Sequence, residues 1–218
     1  GRVLTYAPLL EGSLDLYQDL KAYIDYSYRF INDANAGGFA ELCCGQIGKN
    51  ALYLLLSNTV GGAIIMDGKL YRGEGGRGGE FGHMTLVPDG RPCYCGKRGC
   101  VDAYCSALLL SNVTGGDLEK FFQKLEQGDD KCREVWEEYL HYLVIVINNL
   151  QVSFDCDVVL GGYVGWHMAP YLEEIKRRVV ERCNFHTDGT YLHVSHLNAE
   201  ASALGAALSY IEEFIEQV

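Results

Sequence analysis

Hydrophobic positions along the chain follow two alternating periodicities, which predict a mixed α/β fold. Residues 51–58 form an apolar run of the length of a buried β-strand, whereas 132–152 carries apolar residues at helical spacing on nearly every face. The predicted elements, in chain order, are a short helix and then a strand within 14–30, a loop leading into a helix within 33–44, a hairpin over 51–73, helices over 101–111, 117–127 and 132–152, a strand over 157–162, a helix over 169–183, a strand over 191–197 and a helix over 199–218. A hairpin followed by alternating strands and helices indicates a mixed sheet with helices on its faces.

The clearest turn signal lies between two β-rich runs, where Asp67 is followed by Gly68. An Asp-Gly pair favours a type I′ turn, because both central residues of that turn need a positive φ angle. The segment 61–73 is therefore predicted to be the turn and arms of a β-hairpin. A Gly-rich loop, RGEGGRGGEFGH (72–83), follows it and leads into a cluster of cysteines.

Charge and composition exclude some partners. The chain has 218 residues, a formal net charge of −11 and a pI near 4.9. Nucleic-acid phosphates are bound by clustered Lys and Arg, which this sequence lacks, so no direct nucleic-acid contact by this segment is expected. The most apolar stretch, 142–152, is interrupted by polar residues, so no membrane partner is expected. Nine cysteines, an odd number in a chain of this length, are typical of a reducing compartment and predict a cytoplasmic protein.

The stretch HMTLVPDGRPCYCGKRGC (83–100) carries four metal-binding side chains: His83, Cys93, Cys95 and Cys100. Thiolate and imidazole are the donors that zinc prefers, and four of them close a tetrahedral structural site without an open position. The alternatives are unpaired cysteines in a flexible loop and a disulfide. Three cysteines cannot all pair with one another, and the composition is cytosolic, so the spacing favours structural zinc.

Three segments of the chain resemble motifs of the ROK family, which comprises bacterial sugar kinases and sugar-responsive repressors. GGEFGHMTLVPDGRPCYCGKRGCVDAYCS (78–106) is similar to the family signature, and INDANAGGFAE (31–41) is similar to its ENDANAAALGE motif. DVVLGGYV (157–164) resembles the strand and Gly turn near the nucleotide's adenosine. The resemblance covers essentially the whole chain. It implies an actin-like ATPase (ribonuclease-H-like) lobe with a zinc-binding loop at 83–100, in which 1–30 is the end of the N-terminal lobe and crossover and 31–218 is the C-terminal lobe.

The resemblance also implies a sugar site beside the metal. In the family, the His and three Cys of the signature hold a structural zinc, which here means His83, Cys93, Cys95 and Cys100. The implied sugar contacts are Asn32, Asp33, Glu80, His83 and Asp102. Asp33 also matches the general base of the kinases. Two positions depart from the family pattern, because Ile31 replaces a Glu and Asp102 stands where the family usually has the longer Glu.

The implied nucleotide contacts are weaker and fall in two Gly-containing segments. LSNTVGGA (56–63) corresponds to the family's second phosphate loop, L-G-T-G-I-G-G-G, and 157–164 supplies the second segment. The residues concerned are Thr59, Gly61, Gly62, Gly161 and Gly162. A Gly pair alone is more often a turn than a site, and the bulky Tyr163 beside it is expected to crowd a nucleotide.

Two departures favour sensing over catalysis. Ser57 and Thr59 replace glycines whose missing side chains let a backbone approach phosphate closely, and a D-x-G-G-T phosphate loop is not in the sequence. The preferred interpretation is therefore the sugar-binding, oligomerisation domain of a ROK-type transcriptional regulator without kinase activity, with DNA bound through an upstream domain. It implies a small-molecule sugar and a homo-oligomer as partners. The alternative is the C-terminal lobe of an ATP-dependent sugar kinase, glucokinase-like or acting on an N-acetylated amino sugar, with Asp33 as base and Mg-ATP bound.

Overall fold

The computed structural model describes residues 15–44, 47–197 and 200–216, and these form one mixed sheet flanked by helices. The helices are α1 (Leu16–Lys21), α2 (Asp33–Cys44), α3 (Asp102–Cys105), α4 (Ala107–Ser111), α5 (Leu118–Glu126), α6 (Asp130–Phe154), α7 (Gly162–Trp166), α8 (Leu172–Val180) and α9 (Ala201–Glu216). The strands are β1 (Ala51–Leu56), β2 (Val60–Met66), β3 (Lys69–Tyr71), β4 (Asp157–Gly161) and β5 (Leu192–Val194), with short 3-10 turns at Phe81–His83, Asn112–Thr114 and Ala169–Tyr171. The predicted lobe boundary at residue 30 stays a prediction, and residues 1–14 lie outside the described ranges.

The sheet has the order β3-β2-β1-β4-β5. The hairpin strands β1, β2 and β3 pair antiparallel, whereas β4 pairs parallel to β1 and to β5. The predicted mixed sheet is therefore confirmed. Because β1 and β4 are parallel neighbours, their carboxyl ends lie at one edge of the sheet, which is where ligands bind in open α/β sheets.

The two faces of the sheet bury different side chains of the same strand. Leu52, Leu54 and Leu56 face the large core that α6 shares, while Tyr53 and Leu55 face α2 on the opposite side. All six residues of β1 are buried, so the strand reads as a continuous apolar run rather than an alternating one. Among the described residues, no helix has both the length and the apolar composition required to cross a bilayer.

The predicted turn at Asp67-Gly68 matches the structure, whereas the predictions for 14–30 and for the start of 33–44 are wrong in part. Asp67 and Gly68 have φ angles of 52° and 74°, as a type I′ turn requires. The strand predicted within 14–30 is absent from the described part of that range: Tyr23 and Tyr26 are 83% and 85% exposed, so alternation there provides no buried face. The loop predicted before the helix at 33–44 is also absent. The helix begins at Asp33, because the side-chain oxygen of Asn32 caps it: Asn32 Oδ1 accepts a hydrogen bond of 2.9 Å from the Asn35 N–H.

The predicted helices at 101–111 and 169–183 are interrupted in the structure. Ser106 adopts an extended conformation (φ −76°, ψ 151°), which separates α3 from α4. Pro170 lies in a 3-10 turn, so the regular part of the next helix starts only at Leu172. The strand predicted over 157–162 ends at Gly161, and the Gly turn opens the short helix α7.

Helices α2 and α9 cross at very short range, and this contact predicts an unusual substitution effect. A methyl group on Gly205 would overlap the main-chain carbonyl oxygen of Ala36. Gly→Ala inside a helix normally stabilises by about 1 kcal/mol. We expect the opposite sign here, with Gly205→Ala lowering the free energy of unfolding by about 1–3 kcal/mol through overpacking. Denaturant unfolding measures it, with Ala207→Ser at an exposed position of α9 as the control. An unchanged or higher stability would contradict the close crossing.

Candidate active site and metal centre

The four donors predicted from the cysteine cluster converge in space. One ligand atom from each of His83, Cys93, Cys95 and Cys100 lies within 4.8 Å of all the others. The Sγ atoms of Cys95 and Cys100 are 3.7 Å apart, and tetrahedral coordination with Zn–S bonds of about 2.3 Å puts two sulfurs about 3.8 Å apart. His83 Nδ1 is buried and has no hydrogen-bond partner among the described residues. The donor set therefore fits a closed, four-coordinate zinc ion.

Backbone geometry brings these donors together. Isolated β-bridges pair Thr85 with Cys100 and Pro92 with Arg98, which folds the loop back on itself. Gly99 has a φ angle of 80°, and a side chain there would overlap the main-chain oxygen of Val87. Burial raises the pKa of the Cys93 thiol to about 12. A zinc ion would hold it as a thiolate, because the thiolate is the form that binds metal.

Two of the predicted sugar contacts share the turn beside the metal donors. Glu80 immediately precedes the 3-10 turn Phe81–His83, and its side chain is exposed. The second imidazole nitrogen of His83, Nε2, is 3.4 Å from the hydroxyl of Tyr94. A metal on Nδ1 would therefore fix the ring with Nε2 directed toward the Tyr94 hydroxyl.

Asp102 is placed differently from the other predicted sugar contacts. It is 6% exposed, and its Oδ1 accepts a hydrogen bond of 2.6 Å from the main-chain N–H of Val60. Burial raises the pKa of the Asp102 carboxyl, and the hydrogen bond from Val60 partly offsets that effect. The carboxylate is thus engaged inside the protein, at the end of the β1–β2 loop.

Asn32 and Asp33 begin α2 at the edge of the sheet where β1 and β4 end. The Asp33 Oδ1 accepts a hydrogen bond of 2.8 Å from the Ala34 N–H. Its main-chain oxygen accepts a second, also 2.8 Å, from the hydroxyl of Ser202 in α9. Asp33 lines a cavity of about 290 Å³ together with Ser57 and other residues of the β1–β2 loop. Asp33, which the family resemblance implies to be a general base, therefore faces the loop that the resemblance implies to bind phosphate.

The β1–β2 loop accommodates its serine and threonine without strain. Among non-glycine residues that the structure describes, positive φ angles occur only at Asp67, Asp89 and Asp155. Ser57 and Thr59 are therefore in backbone conformations open to any residue. The Ser57 hydroxyl accepts a hydrogen bond of 3.4 Å from the Tyr163 N–H, and its main-chain oxygen accepts one of 2.7 Å from Ala107.

The glycines predicted to bind nucleotide divide into two groups. Gly61 and Gly62 lie inside β2 and do not line the 290 Å³ cavity themselves, although Gly61 pairs with Leu55, which does; a side chain on Gly62 would overlap the ring of Phe81. Gly162 lines the cavity with a φ angle of 80°, and a Cβ there would lie 2.7 Å from the Ser57 Oγ. A Cβ on Gly161 would overlap the Tyr53 hydroxyl. The second pair is thus required by close packing at the cavity.

A second, more apolar cavity adjoins the first. It has a volume of about 580 Å³, and its lining residues include Leu108, Tyr163, Trp166 and His167. Asn58 and Tyr163 line both cavities, so these two residues form a wall that the cavities share. Tyr163 and Trp166 are 47% and 54% exposed, leaving aromatic faces open to a planar ligand. Tyr163 lines the space that it was expected to crowd.

Sequence reasoning missed several residues of this site. Tyr53 lines the cavity below Asp33, but it lies in an uninterrupted apolar strand that gives no functional signal. Residues i, i+2 and i+4 of a strand share one face, so the sequence could have placed Tyr53 on the same side as Leu55 and Ser57. All three line the cavity. Trp166 lies one helical turn after Gly162, and a Gly pair alone is too weak a signal to indicate a site there.

Comparison with known proteins supplies the family of the chain. An N-acetylmannosamine kinase from Escherichia coli O157:H7 is 34% identical over 95% of this chain and 74% of its own length. The solved ROK hexokinase of Thermus thermophilus is 35% identical, with a TM-score of 0.69 over 84% of this chain and 64% of that one. A solved ROK glucokinase from Streptomyces griseus, with glucose and AMPPNP bound, has a TM-score of 0.81 at 24% identity, covering 95% of this chain and 76% of that one. These neighbours confirm the actin-like ATPase fold.

The preferred interpretation as a regulator without kinase activity is wrong. A relative that matches 95% of the chain is named a sugar kinase. The interpretation depended on the side chains of Ser57 and Thr59 hindering a close approach of phosphate to the backbone, and the match to a sugar kinase over 95% of the chain outweighs that argument. The chain covers 74% of that relative, so the absence of a D-x-G-G-T loop from this stretch does not count against a kinase.

The family model gives the same assignment as the motifs. The model described as the ROK family matches residues 4–213, which is nearly the entire chain. The resemblance of 31–41, 78–106 and 157–164 to ROK motifs is thereby confirmed, and the chain belongs to the ROK family.

Proposed function

We propose that this chain forms the sugar-binding and nucleotide-binding lobe of an ATP-dependent sugar kinase that acts on an N-acetylated amino sugar of the N-acetylmannosamine type. One observation carries the proposal. Asp33 and the Ser57–Thr59 loop line one cavity, and Asn58 and Tyr163 separate this cavity from a neighbouring, more apolar one with exposed aromatic side chains. A carboxylate that could act as a base, a loop that could hold phosphate and a space that could hold a purine thus lie next to one another. The name of the 34% identical relative supports the sugar class.

In the proposal, each of the two cavities takes a different part of the nucleotide. In this proposal the base packs against Trp166 and Tyr163 in the cavity of about 580 Å³, which is large enough for a nucleoside. The phosphates pass Asn58 and reach Thr59 and Gly162. Phosphoryl transfer depends almost entirely on positioning and electrostatic stabilisation, so a fixed loop is the main contribution this lobe makes to the nucleotide. Mg²⁺ would accompany ATP and neutralise charge on its phosphates.

The sugar would lie between the start of α2 and the metal-braced turn. Glu80 and the Nε2 atom of His83 offer hydrogen-bonding groups from one side, and the amide nitrogen of Asn32 offers a donor from the other. The Asn32 side-chain oxygen already caps α2, which fixes the direction in which its amide nitrogen points. The zinc that fits the four donors would have a structural role here, because four protein ligands leave no open position.

Asp33 would act as the general base. As the acceptor hydroxyl oxygen of the sugar bonds to the terminal phosphorus of ATP, the bond from that phosphorus to the ADP oxygen breaks, and the hydroxyl proton passes to the Asp33 carboxylate. Hydrogen bonds from Ala34 to the Asp33 carboxylate and from Ser202 to its main chain hold the residue at the cavity. Such positioning is required because proton transfer needs a hydrogen-bond distance to the acceptor hydroxyl.

A substrate panel tests the proposal. The protein that carries this chain, expressed over its full coding length, is assayed for ADP release with ATP and N-acetylmannosamine, N-acetylglucosamine or glucose. We expect kcat/KM for N-acetylmannosamine to exceed that for glucose by roughly tenfold or more, because sites that bind a substrate's polar group reject analogues lacking it. N-acetylglucosamine, the C2 epimer, is the matched control. A preference for glucose would refute the sugar class, and no turnover of any hexose would refute the kinase.

A further inference from the structure

The first residues of β2, 60–62, pack directly against residues 79–82, which lead into the zinc-binding loop at 83–100. A side chain on Gly82 would overlap the main-chain oxygen of Val60, and one on Gly62 would approach the main-chain oxygen of Gly79 to 2.8 Å. The backbones of 60–62 and 79–82 are therefore in direct contact, at a distance that only glycine permits. Val60 directly follows Thr59, so this contact is made at the exit of the β1–β2 loop.

Asp102, which follows the other end of the zinc-binding loop, also contacts the start of β2. It lies two residues after Cys100, and its Oδ1 accepts the hydrogen bond of 2.6 Å from the Val60 N–H. Both residues are buried, with exposures of 6% for Asp102 and 4% for Val60, so water does not compete for this bond. A charged acceptor also makes a stronger bond than a neutral one. Val60 is thus held by groups that flank the metal donors on both sides.

We infer that Asp102 is a positioning residue that fixes the β1–β2 loop to the zinc-binding loop at 83–100. The metal site would thereby control nucleotide binding as well as the position of the proposed sugar contacts Glu80 and His83. The inference depends on the proposed function only in taking the β1–β2 loop as the phosphate loop. It differs from the sugar contact that the family resemblance implies for this position. The shorter side chain of Asp reaches Val60 directly in a buried setting, where an added methylene would have to displace its neighbours.

The test separates nucleotide binding from sugar binding. Asp102→Ala and Asp102→Asn are compared with wild type and with Glu74→Ala, an exposed carboxylate in the Gly-rich loop, as the matched control. The dissociation constant of Mg-AMPPNP is measured by calorimetry, the KM of N-acetylmannosamine by ADP release, and zinc content by elemental analysis. We expect Asp102→Ala to weaken Mg-AMPPNP binding about tenfold, which is a typical coupling between linked sites. Zinc content and the sugar KM should stay within about twofold of wild type.

Asp102→Asn distinguishes a positioning carboxylate from a sugar ligand. Its amide oxygen can still accept the Val60 hydrogen bond, so we expect nucleotide binding to return to within about threefold of wild type. Unchanged nucleotide binding in Asp102→Ala would overturn the inference, and a raised sugar KM in Asp102→Asn would in addition make Asp102 a sugar ligand. If Asp102→Ala does not give folded protein, Asp102→Asn decides alone: wild-type values for both ligands support the inference, and a loss confined to sugar overturns it.

Removal of the metal provides the second measurement. Chelated wild-type protein should bind Mg-AMPPNP about tenfold more weakly than the zinc-loaded protein, and added zinc should restore binding. Unchanged nucleotide affinity in metal-free protein that is still folded would overturn the inference. Failure of the kinase proposal has a different signature, because wild type would then bind Mg-AMPPNP without turning over any sugar. The coupling can be measured in that case from the dissociation constants alone.

Discussion

Asp33→Asn should reduce kcat for sugar phosphorylation by roughly 10²- to 10⁴-fold, the usual contribution of a positioned general base. The amide has no basic oxygen to receive the proton of the acceptor hydroxyl. Its Oδ1 can still accept the hydrogen bond from the Ala34 N–H, and the main-chain bond from Ser202 does not involve the side chain. The start of α2 should therefore keep its structure, and the loss should appear in kcat rather than in folding.

The measurement combines steady-state kinetics with sugar-induced thermal stabilisation of the same variant. Binding to the folded state raises the melting temperature whether or not turnover follows, so Asp33→Asn should still be stabilised by N-acetylmannosamine. Asp130→Asn, in the first turn of α6 with its side chain 98% exposed, is the matched control and should keep wild-type kinetics. A kcat for Asp33→Asn within about threefold of wild type would remove Asp33 from the role of base.

The parts of the fold that local physics determines could be predicted from the sequence. The Asp67-Gly68 turn was identifiable because it needs two positive φ angles, and few residue pairs tolerate them. The buried strand at 51–56 was identifiable because a strand covered on both faces has no polar alternation. The four metal donors are close in sequence, so their convergence depended on one loop rather than on the whole fold.

Contacts between distant segments could not be predicted in the same way. The partner of the Asp102 carboxylate, Val60, is 42 residues away, and only the folded sheet places it there. Ser57 was interpreted as a side chain that hinders phosphate, because the sequence does not show that its hydroxyl accepts a hydrogen bond from the Tyr163 N–H, 106 residues away. The exposed Tyr23 and Tyr26 have strand propensity, but within the described ranges no strand of the sheet pairs with their segment.

Cys95→Ser should release the metal and cost the protein much of its stability. A serine hydroxyl replaces the thiolate with a poor zinc ligand, and structural zinc sites contribute on the order of 10 kcal/mol to folding of the segments they hold. Cys100 pairs with Thr85 in an isolated β-bridge, and Asp102 follows it by two residues and binds the Val60 N–H. Loss of the ion should therefore loosen both the turn that carries Glu80 and His83 and the loop at Ser57–Thr59. We expect less than roughly 0.2 zinc per chain and a melting temperature lower by roughly 20 °C or more.

Elemental analysis and thermal unfolding measure these two effects, and Cys44→Ser is the matched control. Cys44 is an exposed cysteine at the last position of α2, outside the four donors, so its replacement removes a thiol without touching the metal site. That variant should keep about one zinc per chain and the wild-type melting temperature, as exposed substitutions usually change stability by less than about 0.5 kcal/mol. Wild-type protein with no zinc would refute the metal assignment. Cys95→Ser protein that loses zinc but melts at the wild-type temperature would instead show that the ion does not brace the fold, and the inferred link from metal to nucleotide would lose its mechanical basis.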